Sequence, residues 1–138
     1  MKPVVLASLM LALPLASSNA AAAAAPRWVK VGSAGGSDSY IDRAGIRRSG
    51  DGYSAVSLVS FSDTQSTPDG TGYRSMKAQH VYSCERRTAT LQSRTYYPQP
   101  MGKGPVGQSF RYEKFAPEEV APGSAADGAL KIICSRSR

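Results

Sequence analysis

The stretch Tyr73 to Cys84, YRSMKAQHVYSC, decides the fold. Met76, Ala78, His80, Tyr82 and Cys84 fall on one side of an alternating pattern. Ser75, Lys77, Gln79 and Ser83 fall on the other, with Val81 the exception. A period of two belongs to an extended strand, whose successive side chains point to opposite faces. The stretch therefore predicts a half-buried β-strand, and Cys84 points toward its apolar side.

Working outward, Tyr53 to Phe61 (YSAVSLVSF) is rich in β-branched and aromatic residues and has no proline or glycine. That composition predicts a central strand. Between the two strands, Ser62 to Gly72 (SDTQSTPDGTG) reads as a loop with Pro68-Asp69-Gly70 at its tip. Upstream, Arg27 to Val31 alternates as a strand, Gly32 to Ser37 reads as a turn, and Ser39 to Asp42 as a short strand. Ser49-Gly50-Asp51-Gly52 is a further turn signal. Downstream, Thr88 to Tyr97 predicts a strand closed by Pro98-Gln99-Pro100. A last strand runs from Val106 to Phe115 with Phe110 and Tyr112 on one face, and Pro117 and Pro122-Gly123 stop the sheet.

After Gly123 the period changes. Ser124-x-x-Asp127 resembles a capping box with Asp in the place of Glu, and Ala126, Leu130, Ile133 and Cys134 share one helical stripe. The expectation is a helix from Ala125 to about Ser135, weakened by Gly128, which costs about 1 kcal/mol relative to alanine in a helix interior. About six strands followed by one helix predict an α+β fold on an antiparallel sheet.

The amino terminus reads as a secretory signal peptide over residues 1–20. Met1-Lys2 precedes an apolar run from Val4 to Leu15, and Ser18-Asn19-Ala20 offers a cleavage site, with the cut near 20–25. An apolar run of about a dozen residues is too short for a transmembrane anchor, which needs roughly 20. No cysteine lies in this region, so lipidation is not expected. Residues 21–26 form an alanine-rich remnant, and 27–138 one domain. The two cysteines of an exported chain imply one disulfide, Cys84 to Cys134. It would clamp the helix onto the sheet face that carries Cys84.

Loss of residues 1–20 removes one charge, Lys2, and takes the formal net charge from +7 to +6. Outside the cytoplasm the anionic partners of a basic surface are lipopolysaccharide, acidic glycans, peptidoglycan or acidic protein surfaces, rather than nucleic acid.

The order of residues resembles the surface-adhesin protein E family of Gram-negative bacteria. The resemblance rests on Trp28, Tyr40-Ile41-Asp42 followed by Ile46, Tyr73-Arg74-Ser75-Met76-Lys77, Cys84 with Arg86, and Tyr96. Met101-Gly102-Lys103-Gly104, Pro122-Gly123-Ser124 and Cys134 complete it. It implies a six-stranded antiparallel sheet with a C-terminal helix tethered by the disulfide. It also implies binding of host extracellular proteins at a cell surface, although this chain lacks the lipobox cysteine of lipidated members.

Catalysis finds little support in the residues. His80 is the single histidine and therefore the only histidine base, and it falls in a strand among apolar partners. Glu118-Glu119 are adjacent in a proline-flanked stretch and face apart. Neither Gly102-Lys103-Gly104 nor Gly32 to Gly36 has the spacing of a phosphate loop. No catalytic residue, metal ligand or cofactor is expected. The candidate binding residues are Arg47, Arg48, Arg74, Lys77, Arg86, Arg87, Arg94, Tyr96 and Tyr97, because arginine offers bidentate contacts to carboxylate or phosphate and tyrosine offers stacking. Adjacent arginines point to opposite sides, so only part of this set can share a patch. These residues suggest a periplasmic or cell-surface binding module for a protein, acidic glycan or lipopolysaccharide. The alternative is an accessory periplasmic protein that self-associates, as a homodimer, or packs in an envelope complex.

Overall fold

The structure, a computed structural model, describes residues 27–113 and 115–136, together with Pro3. The expected signal peptide and leader lie outside the described residues. Among the described residues eight strands precede one α-helix: β1 (Trp28–Ala34), β2 (Ser37–Asp42), β3 (Arg47–Ser49), β4 (Gly52–Ser66), β5 (Gly72–Ser83), β6 (Thr88–Tyr97), β7 (Ser109–Arg111), β8 (Glu118–Glu119) and α1 (Ala125–Ser135). They form one antiparallel sheet in the order β1-β2-β4-β5-β6-β7, with β3 added to β4 and β8 added to β6.

Three boundaries differ from the sequence expectation. The turn predicted over residues 32–37 shrinks to Gly35-Gly36, whose φ angles of 55° and 80° let β1 and β2 run up to it from both sides. The strand predicted to end at Phe61 continues to Ser66, because the register of β4 on β5 shifts between Ser60 and Gln65 and then resumes. The strand expected over 106–115 reduces to three residues. Beyond them Glu118-Glu119, expected in a loop, pair with Ala89 and Thr88.

Residues directly opposite in an antiparallel ladder share a face. The row Ile41, Ser57, Ala78, Arg94, Phe110 therefore crosses five strands on one face, and Tyr53, Tyr82 and Ala89 lie beside it. The helix packs on one end of this face. Ile41, Ala55 and Tyr82 bury against Ala129, Leu130 and Ile133, with Ile46 and Val120 closing the sides. Burial in this apolar setting pushes the Tyr82 phenol up to about 12.

Gly128, the weak point of the helix by propensity, sits where the helix axis approaches β1. A Cβ there would lie 2.6 Å from the Val31 carbonyl oxygen. At the helix start, Ser124 Oγ accepts from the Asp127 N–H at 3.1 Å, while the Asp127 carboxylate accepts from the Gly123 N–H at 3.0 Å. Asp127 also bridges to Arg87 at 2.7 Å and Lys131 at 3.1 Å. Cys84 and Cys134 form the disulfide, with Cα atoms 5.8 Å apart.

The reverse face is also covered in part. Residues 100–102 make a 3-10 turn above Leu58 and Ser75, both fully buried. Ser75 Oγ donates to the Gln99 carbonyl at 2.6 Å and accepts from the Gly102 N–H at 2.8 Å. Ser75 thus lies on the predicted side of β5, but that side is not solvent.

Candidate functional site

The predicted basic residues separate into five places. Arg47 and Arg48 stand on the three-residue strand β3. Arg47 donates to the Ala44 and Ile46 carbonyls, and Arg48 donates to the Tyr53 hydroxyl, its guanidinium 5.3 Å from the ring centroid. Arg86 and Arg87 occupy the β5–β6 turn, where Arg87 adopts φ 52° and ties the turn to Asp127. Arg74 donates to the Phe61 and Ser62 carbonyls and so braces the wide end of the β4–β5 hairpin. Lys77 and Tyr97 lie on the reverse face, the Lys77 ammonium 5.6 Å from the Trp28 ring and 4.8 Å from that of Tyr97.

Arg94 and Tyr96 are left, and both lie on the helix face beyond the reach of the helix. There Phe61, Tyr73, Tyr96 and Phe110 make a chain of edge-to-face contacts across β4, β5, β6 and β7, with centroid separations of 5.8, 4.7 and 6.1 Å. Such pairs are each worth about 0.5–1.5 kcal/mol beyond area burial, so the ladder is ordered without a cover. Phe110 is 43% and nearby Val106 61% exposed. A shallow groove of 150 Å³ between Tyr73, Tyr96, Pro98, Pro105 and Val106 continues it along the β6 edge. Of the ladder, sequence reasoning identified Tyr96 alone as a binding residue. Phe61, Tyr73 and Phe110 were legible as strand aromatics, but their stacking depends on strand register.

Arg94 stands where this ladder meets the helix-covered region. Its charge acts on both the Tyr73 hydroxyl and the His80 imidazole, lowering the pKa of each. For Tyr73 burial and Tyr96 outweigh it and the pKa rises. For His80 burial leads and Arg94 adds, holding the ring neutral at pH 7, with only Glu118 opposing. The Nε atom of Arg94 and the Nδ1 atom of His80 are buried without a hydrogen-bond partner. No side-chain hydrogen bond among the described residues links His80 to a nucleophile or an orienting group. Among the described residues, no group of three or more His, Cys, Asp or Glu is placed to hold a metal ion. None of the described helices is long and apolar enough to cross a membrane.

No curated protein matches the chain. Solved structures of protein E from Haemophilus influenzae share its fold. One is 16% identical with a TM-score of 0.65, covering 83% of this chain and 88% of that one. A second crystal form gives the same identity and TM-score over 83% and 91%. Protein E from a non-typeable strain gives 16% and 0.61 over 82% and 78%. At that identity the likeness speaks for the fold, down to the curled antiparallel sheet and its C-terminal helix. The family assignment rests on sequence. Residues 28–135 match the profile described as surface-adhesin protein E, and the chain belongs to that family.

Proposed function

We propose that the protein is an exported, non-catalytic binding module that contacts an envelope or host extracellular partner through the aromatic ladder and Arg94. The observation that carries this reading is the uncovered half of the helix face. Four stacked rings ending in an exposed Phe110, beside an arginine that makes no ion pair among the described residues, are costly to leave in water unless something covers them. Rigid aromatics and arginine are also the side chains that carry most of the binding energy at protein interfaces.

The test is a panel of immobilised matrix proteins, heparin and lipopolysaccharide, probed with the mature domain at low and raised salt. Saturable capture by one of them should be lost in the Tyr96→Ala/Phe110→Ala double variant and weakened by salt where Arg94 takes part. Absence of capture by every member at low salt would remove the reading. A salt-independent dimer in light scattering that needs Phe110 would move it to self-association.

A further inference from the structure

Beside the ladder, β5, β6, the strap formed by residues 115–121 with Tyr112, and the start of the helix enclose a second feature of the helix face. It is a cavity of 330 Å³ whose walls include Ala89, Leu91, Phe115, Val120 and Ala126. That volume is at the small end of ligand sites. Of the polar side chains that line it, His80 from β5 and Arg94 from β6 are the two with buried, unpartnered nitrogen atoms. A buried donor without a partner costs about 1–3 kcal/mol, so two at one cavity call for a ligand or ordered water that satisfies both.

The charged and titratable groups around His80 can be named element by element. β6 presents Arg94, the strap Tyr112, Glu118 and Glu119, and β5 itself Tyr82, while the helix start offers only Ser124 and Ala126. Glu118 and Glu119 are exposed, and neither forms an ion pair with Arg94 within 4 Å. The guanidinium is therefore the one unpaired charge whose nitrogen is buried at this cavity. A neutral imidazole carrying its proton on Nδ1 adds a second donor aimed at the same space.

We propose that this cavity binds a carboxylate carried on a small apolar group, the carboxylate held by the Arg94 guanidinium and the His80 Nδ1–H, and the apolar part by Leu91, Phe115 and Val120. The C-terminal carboxylate of a hydrophobic residue and a short fatty acid share this chemistry. The site goes beyond the partner-binding surface proposed above and shares only Arg94 with it.

His80 is the single histidine of the chain, so its imidazole gives one unambiguous NMR titration in untagged, disulfide-intact protein. N-acetylphenylalanine should bind with a dissociation constant on the order of 1 mM, the affinity that the usual free-energy gain per non-hydrogen atom gives a ligand of its size. It should raise the pH midpoint of His80, because a carboxylate at the ring favours its protonated form. Its carboxamide analogue should do neither. Butyrate in place of the amino-acid derivative separates the two sources: a larger shift with butyrate assigns the site to fatty acids, a smaller one to peptide termini. Arg94→Gln should weaken binding roughly tenfold or more. Phe115→Ala, which removes an exposed wall and leaves the core alone, should weaken it severalfold. Equal binding of the carboxamide, unchanged affinity in Arg94→Gln with native circular dichroism, or no saturable movement of His80 at roughly ten times the expected constant would overturn the proposal. Tyr96→Ala/Phe110→Ala should leave carboxylate binding intact even where partner capture is lost, so the two readings fail separately.

Discussion

At one end of the helix face, Ile41, Ala55, Tyr82, Leu130 and Ile133 are almost wholly removed from water and a disulfide holds the cover in place. At the other end, Phe61, Tyr73, Tyr96 and Phe110 stack on one another and face outward. Both ends are apolar and strands β4 and β5 run through both, so composition does not separate them. Coverage does: the eleven helical residues pack on Ile41, Ala55 and Tyr82 and against β1, and stop short of Tyr73, Tyr96 and Phe110. Stability should therefore concentrate where the helix lies, and substitutions at the far end should cost binding more than folding.

The largest effect belongs to the clamp. Closing a loop across the separation of 50 residues restricts the unfolded chain by about 4 kcal/mol in the loop-entropy model. The Cys84→Ser/Cys134→Ser variant should lose about that much in urea denaturation. Equal stability of oxidised and reduced protein would break the comparison at once. Leu130→Ala comes next, at about 2–5 kcal/mol, because the side chain is 2% exposed and its neighbours are fixed by the sheet.

Gly128→Ala sharpens the comparison because two effects oppose. Helix propensity favours alanine by about 1 kcal/mol. The new methyl, however, would lie 2.6 Å from the Val31 carbonyl oxygen, and overpacking costs about 1–3 kcal/mol. A backbone oxygen on a paired strand cannot swing aside as a side chain would, so the substitution should lower the melting temperature. A rise would show that helix and β1 are less tightly apposed than the structure has them.

A smaller effect is one that acid removes. The Gly123 N–H, then Arg87 and Lys131, hold the Asp127 carboxyl well below the usual carboxylate range. A group depressed on folding contributes stability that is complete above its unfolded value near 4 and is lost as pH falls through the folded value. Between pH 7 and 5 the wild type and Asp127→Asn should therefore differ by a constant amount. Below about pH 4 the gap should close, as seen in denaturation midpoints measured against pH.

The sequence made much of the clamped end legible and little of the open end. The helix from Ala125 to Ser135 and the Cys84–Cys134 link follow from local signals, a cap, a 3.6-residue stripe and a cysteine count. Leu58 and Ser75 escaped because a distant 3-10 turn folds back over their face, and alternation along β5 carries no record of that cover. The predicted arginines were dispersed for a related reason. Arg74 and Arg87 are spent on bracing carbonyls and Asp127, which requires knowing where the β4–β5 and β5–β6 hairpins close. Arg94 meets Phe110 and approaches His80 only through a register in which Gln92 is an extra residue on β6. A one-residue slip would have sent Arg94 to the other face.

The smallest stability effect is expected at Phe110. It is 43% exposed, sits on a three-residue edge strand and touches one other ring, Tyr96, at 6.1 Å. Truncation to alanine removes one edge-to-face contact and part of one buried ring, and it leaves no enclosed void, since the site opens to solvent. The cost should fall below about 1 kcal/mol, several times less than Leu130→Ala on the same face. Paired urea titrations of the two variants measure that ratio directly. If Phe110→Ala proves as damaging as Leu130→Ala, the ladder is a second core and the division of the face into a holding end and a contacting end fails. If it is nearly silent in folding yet abolishes capture of a partner, those exposed rings are maintained for binding.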